Sequence, residues 1–144
     1  MNINLGLSRE ALHDLTGAPT ATYFIDVRTG RTEFDNWNLI YNGVHSDFIL
    51  TGGTFDILKN GMDNRDETTG MCGNHAYSIL GCYEIFSPPN KQETRLLKPY
   101  EDVYNHVNDI ERIIKLRNPW GKGEWLGKYS DNDTEYLTEK LKKA

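Results

Sequence analysis

The sequence has little of what membrane and nucleic-acid-binding proteins require. No apolar run approaches the roughly 18 residues of a transmembrane helix, and the mean hydropathy is -0.64. The 16 Lys and Arg are outnumbered by 21 Asp and Glu, which gives a net charge of -5. The one basic cluster, Lys140, Lys142 and Lys143, ends a predicted helix, where cations offset the helix dipole. We therefore expect no membrane span and no nucleic-acid partner.

The first residues and the two cysteines, which could pair by count alone, bear on secretion and disulfide bonding. Residues 1–5 contain neither a basic segment nor the start of an apolar stretch of about 7 to 15 residues, so a cleaved secretory signal is not supported. We therefore expect a cytoplasmic protein whose two cysteines, Cys72 and Cys82, are free thiols. A chain of 144 residues can form one domain or one lobe of a larger protein.

Short helices and strands alternate in the residue pattern. Helices are predicted over residues 8–15, 34–41 and 135–142, and strands over 20–27, 48–50, 54–58, 76–86 and 110–117. Residues 59–74 and 91–108 are polar and predict loops or an irregular insert. Residues 110–117 fit either type by pattern, but Pro119 disfavours helical backbone at Asn118 and so favours a strand. The pattern is typical of an α+β protein.

His75 is the histidine whose sequence context best suits a general base. It lies between a polar loop and an apolar strand, so the sheet can fix its backbone while its ring faces a cleft. An imidazole titrates near neutral pH and can take a proton from a thiol and return it to a leaving amine. The alternative is a histidine at a strand edge with no catalytic role. His13, His45 and His106 have no neighbours that suggest a partner.

Asn118 is a candidate for orienting that base. Its amide oxygen can accept a hydrogen bond from the imidazole N–H and so fix the tautomer, and Trp120 could shield this bond from water. Taken alone, residues 118–121 are more simply explained by a turn that packs an indole.

Several runs occur together in the order found in one enzyme family. Residues 74–78 (NHAYS) precede 117–121 (RNPWG), followed by Glu124-Trp125, Gly127 and Ser130-Asp131. Residues 10–17 (EALHDLTG) complete the set. Together these blocks resemble the calpain catalytic domain, and the resemblance extends from about residue 6 to residue 131.

The resemblance implies a papain-like cysteine protease fold, of which residues 1–144 are the sheet-rich C-terminal half. His75 would be the catalytic histidine, Asn118 the catalytic asparagine, and Trp120 the tryptophan beside the cleft. The implied activity is that of a calcium-dependent endopeptidase acting on proteins or peptides. The nucleophile-bearing half, with its Gly-Asp-Cys-Trp type motif, is absent from these residues, so the chain alone should be inactive.

The resemblance also implies calcium, although no cofactor is required for the chemistry itself. Glu124 and Asp131 match two carboxylate ligands of the family, but two carboxylates are an incomplete site, since Ca²⁺ usually takes six to eight oxygens. The family has glycine before the catalytic histidine, whereas this chain has Asn74. This departure predicts a local change of backbone.

Two other roles for the cysteines, and one other role for the chain, remain. Cys72 could be the nucleophile, although in an extended segment its side chain would point away from His75. Cys72, His75 and Cys82 could bind zinc, although their spacing matches no common zinc pattern. Cys82 is otherwise a small buried apolar residue.

A non-catalytic module that binds peptides or a partner is the alternative to a protease half that meets its cysteine lobe in cis or in trans.

Overall fold

The computed structural model describes residues 7–25, 27–55, 64–89, 94–102, 108–137 and 139–142. The helices are α1 (Ser8–Thr16), α2 (Glu33–His45) and α3 (Glu139–Lys142), with a 3-10 turn at Val27–Thr29. The strands are β1 (Leu50–Gly53), β2 (Asn64–Arg65), β3 (Cys72–Gly73), β4 (Ala76–Phe86), β5 (Arg95–Leu96) and β6 (Ile110–Arg117). This mixture confirms the α+β class. No helix among the described residues is long and apolar enough to cross a membrane.

The chain divides into two compact units, residues 1–42 and 43–144. In the first unit, α1 ends where Gly17 takes a left-handed φ of 68° and donates its N–H to the carbonyl of His13. Thr32 and Asp35 cap the start of α2 reciprocally, since each side chain accepts a hydrogen bond from the backbone N–H of the other. Both predicted helices are therefore confirmed.

The strand predicted over residues 20–27 is wrong. Residues 20–25 are exposed and form no regular structure, and the 3-10 turn follows at Val27. Threonine and aromatic side chains favour strands mainly by packing against a neighbouring strand and a buried face. Residues 20–25 pair with no strand of the described sheets.

Strand β4 is the centre of the main sheet in the second unit. It pairs antiparallel with β6 along one edge, and with β1 and then β5 along the other. The predicted break near Gly81 is a β-bulge, because the β6 register shifts between Ile79 and Gly81. Ile85 of β4 is fully buried, and Cys82 is 4% exposed. The strands predicted over residues 76–86 and 110–117 are confirmed.

The segments around β4 differ more from their predictions. Strand β1 runs through the two glycines that were predicted to interrupt it. Residues 54 and 55 lie outside any strand, and 56–58 lie outside the described residues. The predicted loop over residues 59–74 contains an antiparallel pair, β2 with β3. Of the predicted insert over 91–108, residues 95–96 form β5.

The segment that follows β6 folds back onto the start of that strand, where it contacts Glu111. Glu111 accepts hydrogen bonds from Lys128 Nζ at 2.6 Å and from the Tyr129 hydroxyl at 2.7 Å. Asp133 caps a turn by accepting from the N–H groups of Glu135 and Tyr136, but α3 begins only at Glu139. The helix predicted over residues 135–142 is therefore shorter than expected.

Candidate active site

The register of β4 and β6 brings His75 and Asn118 together. Ser78 pairs with Arg117 in this antiparallel ladder. The residues just before β4 and just after β6 therefore meet at the same end of the sheet. His75 immediately precedes β4, and Asn118 immediately follows β6. Two residues that are 43 positions apart in the sequence thus become neighbours.

The His75 ring is hydrogen-bonded to the Asn118 side chain. Nε2 of His75 lies 2.9 Å from Oδ1 of Asn118. The amide is oriented from both sides: Oδ1 also accepts from the N–H of Trp120 at 3.0 Å, and Nδ2 donates to the carbonyl of Lys122 at 3.0 Å. Because Oδ1 only accepts, the neutral His75 ring carries its proton on Nε2, and Nδ1 is the basic nitrogen.

Aromatic rings enclose the imidazole. His75 is 8% exposed. The edge-on ring of Tyr77 lies 4.9 Å from it and the indole of Trp120 lies 4.4 Å from it, measured between ring centroids. Trp120 itself is 48% exposed, so it forms an outer wall of the site. The structure thus places the three predicted residues His75, Asn118 and Trp120 in contact.

Asn74 has the backbone conformation that glycine would provide at this position. Its φ is 53°, in the left-handed region that most side chains disfavour and that Asn tolerates. The N–H of Asn74 donates to the carbonyl of Phe55 at 2.9 Å. The turn in front of His75 is therefore one that glycine could also form, and the local change of backbone relative to the family stays a prediction.

Neither cysteine lies in an environment that suits a nucleophile. Cys72 is 2% exposed and belongs to β3. Burial, followed by the charge of Glu84, raises the pKa of the Cys82 thiol. Cys72, His75 and Cys82 are all among the described residues, where no group of three potential metal ligands comes together. The zinc alternative therefore has no support within the described part of the chain.

Glu124 and Asp131 are both exposed on the segment that follows Asn118. A calcium site needs six to eight oxygens. Within the described ranges, no third Asp, Glu, His or Cys joins these two in a cluster that could hold a metal.

Sequence reasoning missed three residues that shape this site. Thr54 binds the backbone of His75, the Tyr77 hydroxyl accepts from the N–H of Cys72 at 2.8 Å, and the carbonyl of Lys122 orients the Asn118 amide. Tyr77 lies inside the run of residues 74–78 and Lys122 directly follows the run of residues 117–121, so both could have been proposed from those motifs. Thr54 could be found only by knowing that β1 pairs with β4.

Comparison with known proteins gives a consistent result. The sequence profile described as calpain family cysteine protease matches residues 1–144. The chain is 29% identical over 143 residues to the calpain-type cysteine protease DEK1 of Zea mays, covering 95% of the chain and 5% of that protein. It is 30% identical over 132 residues to calpain clp-1 of Caenorhabditis elegans, covering 91% and 14%.

The calpain-1 catalytic subunit of Bos taurus is 26% identical over 144 residues, which are 95% of the chain and 17% of that protein. The chain therefore spans a small part of the length of the curated relatives it matches. No solved structure matches the chain. Because the family profile extends over all 144 residues, this chain belongs to the calpain family of cysteine proteases.

Proposed function

We propose that the chain is the half of a papain-like protease core that supplies the general base for cleavage of peptide bonds. The observation that carries this proposal is the 2.9 Å contact between His75 Nε2 and Asn118 Oδ1. A base oriented by a neutral amide is the arrangement that Cys-His-Asn proteases use. Membership of the calpain family supports a hydrolase that acts on proteins or peptides.

The proposed chemistry is acyl transfer from a peptide bond to a thiolate. Nδ1 of His75 takes the proton of the cysteine thiol and later returns it to the leaving amine. Throughout, Asn118 accepts the Nε2–H and keeps the ring in one tautomer and one orientation. Trp120 and Tyr77 cover the ring, so the hydrogen bond lies in an environment with little water, where it is electrostatically stronger.

The nucleophile in this proposal comes from residues outside the 144. Cys72 is buried in β3, where a peptide substrate has no access to its sulfur. Cys82 is buried too, and its raised pKa disfavours the thiolate. A second lobe, in the same polypeptide or in another, would therefore bring a cysteine to His75. We expect the chain alone to be inactive.

Calcium dependence is proposed from the family resemblance alone. Glu124 and Asp131 would each supply carboxylate oxygens, and the remaining ligands would come from residues outside the 144. A calcium titration of the 144-residue chain followed by calorimetry tests this. We expect no binding below about 1 mM, the weak end of protein calcium sites. Binding at micromolar calcium that Asp131→Asn abolishes would place a complete site in this chain.

The experiment that tests the protease proposal compares cleavage of a fluorogenic peptide by two preparations. In the complete protease, His75→Ala should lower kcat by at least about 10²-fold, the lower range of general acid–base catalysis. The control His13→Ala, in the exposed helix α1, and Cys72→Ala should retain activity. The 144-residue chain alone should show none, with or without calcium. Cleavage by the chain alone that Cys72→Ala abolishes would refute the proposal.

A non-catalytic binding module is the second candidate, because both cysteines within the chain are buried. On this alternative the protein that contains the chain would bind peptides without cleaving them. Peptide affinity that persists in His75→Ala, with no turnover in the complete protein, would favour the module.

A further inference from the structure

We propose that Thr54 is a positioning residue that holds His75 against Asn118, an inference that rests on the catalytic role proposed above for His75. Thr54 follows strand β1 and is partly buried, and it lies outside every motif that the chain shares with the family. Its hydroxyl and its backbone both bind the segment that carries His75.

The backbone N–H and the backbone carbonyl of His75 both form hydrogen bonds with Thr54. The N–H of His75 donates to the Thr54 hydroxyl at 3.0 Å, and the carbonyl of His75 accepts from the N–H of Thr54 at 2.9 Å. The hydroxyl proton is directed to the carbonyl of Cys72, which is the nearer acceptor at 2.6 Å, whereas the carbonyl of His75 lies at 3.2 Å. One side chain thus links the two ends of the turn formed by residues 72–75.

This link occurs where the regular strand ladder ends. The last pair between β1 and β4 is Gly53 with Ala76, and the next residues toward the turn are Thr54 and His75. Asn74 then takes a left-handed φ of 53°, and its N–H donates to the carbonyl of Phe55 at 2.9 Å. The hydroxyl of Thr54 accepts the N–H of His75 at this point, so the hydrogen bonding continues past the last strand pair.

The position of the His75 ring depends on this backbone. The hydrogen bond to Asn118 is 2.9 Å long, and hydrogen bonds weaken steeply beyond about 3.2 Å. Asn118 is itself fixed by Trp120 and Lys122, so it cannot follow a displaced ring. A small rotation of the His75 backbone would therefore break the contact that sets the tautomer.

The test uses NMR of the 144-residue chain with ¹⁵N-labelled histidine. Two-bond ¹H–¹⁵N correlations report which ring nitrogen of His75 carries the proton, and water exchange reports how firmly Nε2–H is held. Thr54→Val removes the hydroxyl and keeps the shape and the backbone N–H. Thr54→Ser keeps the hydroxyl. Thr51→Val is the matched control, since Thr51 is exposed on β1.

Thr54→Val should mix the two tautomers of His75 and speed exchange of Nε2–H at least about tenfold. The reason is that the backbone N–H of His75 loses the Thr54 hydroxyl as its acceptor, so the segment that carries the ring is held less firmly. Thr54→Ser and Thr51→Val should retain the single Nε2–H tautomer. An unchanged His75 spectrum in Thr54→Val would overturn the proposal. If Thr54→Val and Thr54→Ala both unfold the chain while Thr54→Ser folds, the hydroxyl supports the whole unit rather than His75, which also overturns it.

The catalytic proposal and this inference fail in different experiments. The tautomer is measured without any cleavage, so it decides the role of Thr54 even if His75 proves unnecessary for peptide hydrolysis. If His75 is the base, Thr54→Val in the complete protease should lower kcat about tenfold and leave KM within about twofold, as expected for an interaction that matters in the transition state.

Discussion

The ring centroids of His75 and Trp120 lie 4.4 Å apart, and the backbone N–H of the same tryptophan binds the oxygen that orients the histidine. Trp120 therefore acts on the site in two ways, through its indole and through its peptide group. Substitutions of the Trp120 side chain remove the indole but keep the backbone N–H. They therefore test the shielding of the His75 ring without removing the hydrogen bond that orients Asn118.

Replacing Asn118 should affect the tautomer of His75 directly. Asn118→Ala removes the acceptor of Nε2–H, so we expect kcat of the complete protease to fall by about 10²- to 10³-fold, within the contribution of a positioned acid–base group. In the isolated chain, the His75 ¹⁵N signals should report mixed tautomers. Asn132→Ala, at an exposed turn position, is the control. Equal kcat values for the two variants would contradict an orienting role.

Replacing Trp120 should have a smaller effect. An aromatic pair contributes about 0.5–1.5 kcal/mol beyond its burial, so Trp120→Ala should lower kcat by about 2- to 10-fold, and Trp120→Phe by less. Unfolding in urea should change little, because the indole is 48% exposed. A loss as large as that of Asn118→Ala would mean that the loop itself had moved.

The Cys82 thiol should make stability depend on pH in the alkaline range. Burial and the nearby Glu84 raise its pKa above the ordinary value of 9.0. The folded chain then keeps the thiol proton at a pH where the unfolded chain loses it, so stability falls as the pH rises above about 9. Urea unfolding between pH 7 and 10 measures this. Cys82→Ala should reduce the dependence, and the same slope in both proteins would contradict the assignment.

Glu101 should contribute a pH dependence on the acid side. A hydrogen bond from Arg95, followed by one from the N–H of Lys98, lowers the Glu101 pKa from 4.5 to about 2. Its folded pKa is below its unfolded pKa, so the stabilisation is present above pH 4.5 and is lost as the pH falls toward 2. The stability difference between wild type and Glu101→Gln should therefore shrink between pH 5 and about 2. Glu67→Gln, an exposed site, should show no such change.

Gly70 should tolerate alanine poorly. Its φ is 77°, and a Cβ there would collide with the carbonyl oxygen of Glu124. Gly121 has a φ of 65° with open space around its Cα, so Gly121→Ala is the matched control and should cost about 1 kcal/mol of strain. Gly70→Ala should cost about 1–3 kcal/mol more, from overpacking. Thermal unfolding compares the two, and equal costs would show that the segment around Glu124 adapts.

The sequence predicted the central pair of strands and the two residues at their meeting ends. β4 carries a long apolar pattern that ends in clear turn residues. For β6 the pattern fits helix or strand, and Pro119 favours the strand. His75 and Asn118 stand in short motifs. These features depend on neighbours in the sequence, which is why pattern reasoning found them.

The errors concern features that depend on distant residues. Residues 20–25 have strand-forming side chains but no partner strand among those described. The polar segment around residues 64–73 forms a strand pair in which Arg65 lies opposite Cys72. Its polar composition does not predict strands, because strand formation here depends on the cross-strand partner. Thr54 acquires its role from the pairing of β1 with β4. Such pairings are set by the register of whole strands, which no single window of the sequence contains.

The bulge in β4 determines where the fold can tolerate insertions and deletions. Between Gly81 and Phe86 each residue of β4 has one partner on β6, and the irregularity before Gly81 sets the phase of the remaining pairs, including Ser78 with Arg117. The connection between β4 and β6 includes β5, which pairs with the end of β4. An insertion or deletion elsewhere in that connection leaves the β4–β6 register unchanged, whereas a single-residue deletion inside β4 moves His75 to the opposite face relative to Asn118. Related sequences that keep the pair His75 and Asn118 should therefore vary in the length of that connection outside β5, while conserving the number of residues from His75 to Phe86.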